Sequence, residues 1–220
     1  MTIRRQALVA AAAAALLLGG PAAAQEVKGE EHVLPNGMKL LLVHRPDEPS
    51  VSAGWVAKVG SANERVGMTG ISHLFEHMMF KGTKTLGSKD PKRDLEQLRG
   101  ERQSAACRGE VDDLMKPENK TARYKELEAK FDALVKEQRD LLVKNEFDRI
   151  YTKNGASGMN AFTSYDMTAY FITVPKNKLE LWFWMESDRL SDPVFREFYS
   201  ERDVVYEERR LRVESTPTGK

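Results

Sequence analysis

The 220-residue sequence is 41% hydrophobic, enough for one domain of ordinary core size and too short for two full ones. Its 34 Lys and Arg against 33 Asp and Glu leave a formal charge of +1, so there is no charge-based case for a nucleic acid or an anionic membrane surface as partner. A single cysteine, Cys107, excludes an internal disulfide.

Residues 1–24 read as a secretory signal peptide. Arg4 and Arg5 precede the apolar run "ALVAAAAAALLL", and the small residues of "GGPAAAQ" place cleavage after Ala24. The run is too short for a membrane span, so no stable anchor is expected after cleavage, and a periplasmic or secreted location follows. Next, "EEHVLPNGMKLLLVHRP" reads as two short strands, with Asn36-Gly37 supplying the positive φ angles of a tight hairpin turn. Val51, Ala53, Trp55, Ala57 and Val59 alternate with period two, which predicts a strand with one better-buried face. Gly60, Gly67 and Gly70 punctuate a loop, after which helical periodicity runs from Ile71 to about Phe80.

Residues from about 90 to 148 are dense in Lys, Arg, Glu and Asp, with Tyr124, Leu127, Phe131, Leu134 and Leu141 at helical spacings. They predict a helical hairpin broken at "KPEN", residues 116–119, and such a charged pair is expected to be an inserted, solvated arm. "TSYDMTAYFITVP" predicts a strand ended by Pro175. Two helices follow, "NKLELWFWMESDRL" and a second that begins after Pro193 and runs through "REFYSERDVVYEERRLRVE". The mixture predicts an α+β domain, a mostly antiparallel sheet with helices layered on it and the charged helical hairpin inserted.

The stretch "HLFEH" carries the chemistry. On a helix, His73 and His77 are four residues apart and project from one face, so both imidazoles can reach one zinc ion. Glu76 can then sit beside the ion without binding it and accept a proton from a water held there. The order H-x-x-E-H is the inverted form of the commoner zinc-protease motif. A catalytic zinc site needs a third protein ligand, and neither His32 nor His44 has a spaced partner. Glu201 and Glu208 lie seven residues apart on the last helix, hence on one face, separated by about 20° around the axis. Glu207 points about 100° away from Glu208. Spacing alone leaves each acid open to a second reading as a solvent-facing charge, and the histidines open to one as hydrogen-bonded helix-face residues.

"GMTGISHLFEHMMFKGT", "NAFTSYDMTAYFITVP" and "ERDVVYEERR" together resemble the zinc peptidases that include pitrilysin, insulin-degrading enzyme and the mitochondrial processing peptidase. The match covers about residues 32–90 and 150–214. The resemblance implies that His73, His77 and Glu208 bind one Zn2+ ion, that Glu76 is the general base, and that Glu201 orients or charge-balances the ligands. It also implies that Asn160, Ala161 and Phe162 lie on a sheet edge that takes an extended peptide as an added strand. His77 and Glu208 are 131 positions apart, longer than is usual in the family, and the charged hairpin accounts for the excess. Family members continue well past the third ligand and close a chamber over the substrate. Residues 25–220 are therefore expected to be an incomplete N-terminal metallopeptidase domain, whose chamber is finished by later domains or a second chain. The function this implies is zinc-dependent endopeptidase action on peptides or unfolded polypeptides in the cell envelope. The alternative is a non-catalytic peptide-binding or scaffold subunit of a two-chain peptidase, or an inactive fragment.

Overall fold

The computed structural model describes residues 28–114 and 122–215. The expected signal peptide, the break at "KPEN" and the last five residues lie outside the described residues. The chain divides into two units between Glu48 and Pro49. Among the described residues no helix is long and apolar enough to cross a membrane.

The first unit is a two-stranded antiparallel hairpin, β1 Glu30–Val33 and β2 Lys39–Leu42. The tight two-residue turn expected at Asn36-Gly37 is instead a five-residue loop. Only Gly37 of that pair takes a positive φ, 83°, while Asn36 uses its side-chain oxygen to accept the Met38 N–H at 3.0 Å. Leu34 O accepts the Gly37 N–H at 2.9 Å, and the glycine's left-handed conformation redirects the chain into β2.

In the second unit, β3 Ser50–Ala57, β4 Ser157–Thr163 and β5 Thr168–Pro175 form an antiparallel sheet of order β3-β5-β4. The period-two pattern holds within β3, whose odd-numbered residues are half-buried and even-numbered ones exposed, but Val59 lies past the end of the strand and is exposed, so the alternation stops at Ala57. Central β5 is buried along most of its length, as a strand flanked on both edges should be. Trp55 pairs with Tyr170 across the ladder and stacks on it with ring centroids 4.1 Å apart. The single strand expected at "TSYDMTAYFITVP" is corrected: Ser164–Met167 is the turn between β4 and β5, closed by Ser164 N–H to Met167 O at 2.8 Å.

Among the described residues six α-helices accompany the sheets: α1 Ile71–Met78, α2 Pro91–Leu114, α3 Ala122–Leu141, α4 Glu146–Lys153, α5 Leu179–Ser191 and α6 Phe198–Arg209. The fold is thus α+β with small antiparallel sheets, as expected. Helix α4 was not foreseen as a separate element. Its Phe147 and Tyr151, one turn apart, join Leu86, Ile172, Val174 and Met185 in the core, so 146–148 belongs to the packed domain. Helix α6 starts at Phe198 rather than soon after Pro193, because Glu197 takes a left-handed φ of 57° and interrupts helical geometry before it.

A buried polar network runs through this core. Glu186 accepts from Trp55 Nε1 at 2.7 Å and Tyr151 Oη at 2.8 Å, and it pairs with Arg189. The Arg189 guanidinium lies over the rings of Phe147 and Tyr170 at 4.9 Å, Phe80 at 5.2 Å and Trp55 at 5.5 Å. A cation caged by aromatics and neutralised by one carboxylate joins sheet, α4 and α5 without leaving a bare buried charge.

Helices α2 and α3 form the expected hairpin, with ends held together by Lys89 N–H to Leu141 O at 2.8 Å and Val143 N–H to Gly87 O at 3.0 Å. The arm is not a free spacer, since Phe131 meets Tyr199 of α6 edge-on at 5.0 Å. Its inner face is unusually polar: Gln97, Glu101 and Ser104 of α2 are buried along with Gln138 of α3. Burial, with the Asp94 carboxylate adding to it, pushes the Glu101 carboxyl up to about 7 against the opposing charge of Arg102.

Because the folded Glu101 holds its proton to higher pH than the unfolded chain, stability should fall as pH rises from about 4.5 towards 7 and then level off. Glu101→Gln should flatten this dependence and add about 2–3 kcal/mol at pH 8, read from urea unfolding. An unchanged pH profile would contradict the assignment.

Candidate metal centre

Two helices build the centre, and each is fixed at its base. The first turn of α1 begins after Gly70, whose φ of 92° suits glycine. The Glu64 carboxylate accepts the Gly70 N–H at 2.7 Å and the Ser72 N–H at 2.8 Å, satisfying helix-end donors that would otherwise lack partners. Burial works against the charged form of Glu64, but these backbone donors outweigh it and hold the carboxyl below its ordinary value. Sequence reading missed this acid because it lies seven residues before the helix, outside any short capping pattern.

The i, i+4 spacing puts His73 and His77 one above the other on α1, with Nε2 atoms 3.2 Å apart. Glu208 approaches from α6, its carboxylate oxygens 3.5 Å from His73 Nε2 and 3.8 Å from His77 Nε2. One ligating atom from each of the three residues lies within 4.8 Å of the others, and all three side chains are half-buried. Glu201, one face-repeat earlier on α6, contacts His77 Nδ1 through Oε2 at 3.2 Å. That carboxylate favours a proton on Nδ1 and so leaves the Nε2 lone pair free. Lys81 holds the other side of Glu201, Nζ to Oε1 at 2.5 Å, and reaches Glu197 at 3.4 Å. Arg212, in the π turn Arg210–Glu214 that continues α6, lies 3.3 Å from Glu208.

Glu76 is not in this trio. It projects to one side, where Thr163 at the end of β4 donates its hydroxyl to Oε2 at 2.5 Å. Asn160, Ala161 and Phe162 lie on β4, which pairs only with β5 among the described strands and so forms a sheet edge. Asn160 Oδ1 accepts the Ala161 N–H at 2.9 Å. Phe162 is exposed and meets Phe171 across the ladder at 6.4 Å. Lys81 and Thr163 were not singled out from sequence, although Lys81 falls one helical turn after His77 and Thr163 ends the quoted "NAFT".

The donors fit a tetrahedral zinc ion. Bonds of about 2.0–2.1 Å at tetrahedral angles separate neighbouring ligand atoms by about 3.3 Å, and the observed separations bracket that figure. Burial, reinforced by the neighbouring His77, holds His73 below the ordinary histidine value, against the pull of Glu76 and Glu208. A neutral imidazole with an available lone pair is the form a metal takes.

Comparison with known proteins points the same way. The Insulinase (peptidase family M16) profile matches residues 39–111. The chain is 27% identical to zinc protease PqqE of Helicobacter pylori over 195 residues, 87% of this chain and 31% of that protein. It is 42% identical to bovine (Bos taurus) insulin-degrading enzyme over 60 residues, 27% of this chain and 6% of the enzyme. The crystal structure of a protease from Helicobacter pylori superposes with a TM-score of 0.57 at 26% identity, covering 88% of this chain and 33% of that one. The chain thus spans about a third of the length of these Helicobacter proteins.

If the trio holds the ion, Glu208→Gln should weaken zinc binding by roughly 100-fold, since a neutral amide oxygen replaces an anionic donor. Titration against a chromophoric chelator reads this directly, and an unchanged affinity would assign the third donor elsewhere.

Proposed function

This chain belongs to the insulinase/pitrilysin (peptidase M16) family over part of one domain, and from that premise we propose that it is the catalytic portion of an exported zinc endopeptidase acting on extended peptides. The observation that carries the reading is the convergence of His73, His77 and Glu208, with Glu76 held beside them and outside the trio. A zinc ion bound there supplies Lewis-acid polarisation of a peptide carbonyl and makes water a stronger acid. Glu76 takes the proton of the attacking water and passes it to the departing amine, while the Thr163 hydroxyl fixes the carboxylate's direction. Glu201 keeps the His77 ring in one tautomer, and Lys81 holds the Glu201 carboxylate in place.

The substrate is an extended segment added to the free edge of β4. Asn160 guards that edge: its side chain occupies the Ala161 N–H until a peptide carbonyl replaces it. Period two puts Ala161 and Thr163 on one side of β4, so a strand laid along Asn160–Phe162 passes close to Glu76. Later domains or a second chain enclose the peptide, and action in the cell envelope follows from the leader read in residues 1–24.

Glu76→Gln should lower kcat for a quenched fluorescent peptide by at least 10³-fold while one zinc per chain is retained, because only the proton carrier is lost. Hydrolysis at the parent rate by this variant would refute the mechanism. Thr163→Val should lower kcat by about tenfold with little change in zinc affinity, and equal loss of both would make Thr163 a structural residue instead.

A further inference from the structure

Arg196 is among the most buried side chains of the protein, 1% exposed, and it lies two residues before α6. Its guanidinium enters the loop that leaves α1. Nη1 donates to Leu86 O at 3.0 Å and Lys81 O at 3.3 Å, Nη2 donates to Thr83 O at 2.9 Å, and Nε donates to Asp94 Oδ2 of α2 at 2.7 Å. Three backbone carbonyls and one carboxylate thus surround a single cation, and Asp94 is itself fully buried. Gly82 and Gly87 make room for it. A Cβ on Gly82 would come within 2.9 Å of Nη1 and one on Gly87 within 3.1 Å, and both residues sit at φ near +95°.

We propose that Arg196, with Asp94 as counter-ion, is a positioning residue that sets where α6 delivers Glu208 to the two histidines of α1. The inference rests on the metal reading above. The loop it grips begins three residues after α1 ends, and its Lys81 also binds Glu201 on α6. Val194 N–H to Gly82 O at 3.0 Å and Lys84 N–H to Asp192 O at 3.2 Å add two backbone ties between the same segments. Only Glu197 separates Arg196 from α6, and it holds a left-handed φ of 57°, a conformation that persists in a non-glycine residue where its surroundings impose it. From the start of α6 to Glu208 is about 15 Å along the axis, so a tilt of about 10° at the base would move the carboxylate by about 3 Å. Metal sites tolerate displacements of about 0.2 Å in donor distance. An anchor shared by both helices' approaches therefore governs the third donor, although it touches neither metal nor substrate.

The test uses the full chain with Arg196→Lys, which keeps the charge and loses the fork of donors, and with the pair Arg196→Met and Asp94→Leu, which removes both buried charges together. Val174→Ala in the core serves as a control for destabilisation at a distance. The expected result is a zinc Kd weakened by roughly 10–100-fold in both Arg196 variants, with reduced visible absorption of the cobalt-loaded protein as the carboxylate donor is lost. The control should keep its zinc Kd within about threefold of the parent whatever its melting temperature. Parent-like zinc affinity and cobalt spectrum in a folded Arg196 variant would overturn the inference while leaving the metal reading intact. Failure of the parent itself to take up zinc would remove the metal reading, and the inference with it.

Discussion

The structure depends on bringing one carboxylate to two imidazoles across 131 positions of chain. His73 and His77 need only a helix to meet, because spacing of four places them together. Glu208 needs the whole second unit, since everything between His77 and α6 decides where that helix points. The long excursion through α2 and α3 starts and ends at neighbouring backbone segments, so it adds length without displacing α6 from α1. The sheet contributes through β4, whose last residue holds Glu76 while its free edge stays open.

Charge is distributed to suit that convergence. Glu76, Glu201 and Glu208 surround two histidines, and without compensation like charges would repel. Lys81 pairs with Glu201 and more distantly with Glu197, offsetting part of their charge, and Arg212 lies against Glu208. His73 stays below its ordinary value, which suits an electron-pair donor rather than a cation. Away from the centre, two deeply buried arginines solve a different problem. Arg189 is caged by aromatic rings and Arg196 by carbonyls, and in each case one carboxylate balances the charge while neighbouring groups provide the geometry.

Much of this was legible in the residues. The alternation in Val51–Ala57, the helical run after Gly70 and the i, i+7 relation of Glu201 and Glu208 are local periodicities, and they appear where periodicity predicts. What periodicity cannot carry is closure. The turn at Ser164–Met167 was read through as strand because its flanks share β-branched and aromatic residues, and the start of α4, residues 146–148, was absorbed into the charged arm because Phe147 sits among Glu, Asp and Arg. Glu64, Thr163, Lys81 and Arg196 act on partners distant in sequence or on backbone atoms, so no spacing rule marks them. The arm's contact with α6 through Phe131 and Tyr199 is likewise a tertiary fact invisible in a heptad-like stripe.

On the proposed reading, two imidazole nitrogens and one carboxylate oxygen of this chain bind one zinc ion together. X-ray absorption at the zinc edge, on protein loaded with one equivalent, reads that first coordination shell directly. The expected spectrum shows a four-coordinate shell of nitrogen and oxygen donors at about 2.0–2.2 Å with the multiple-scattering signature of two imidazoles. A shell with one imidazole or none, or a six-coordinate hydrated ion, would contradict it.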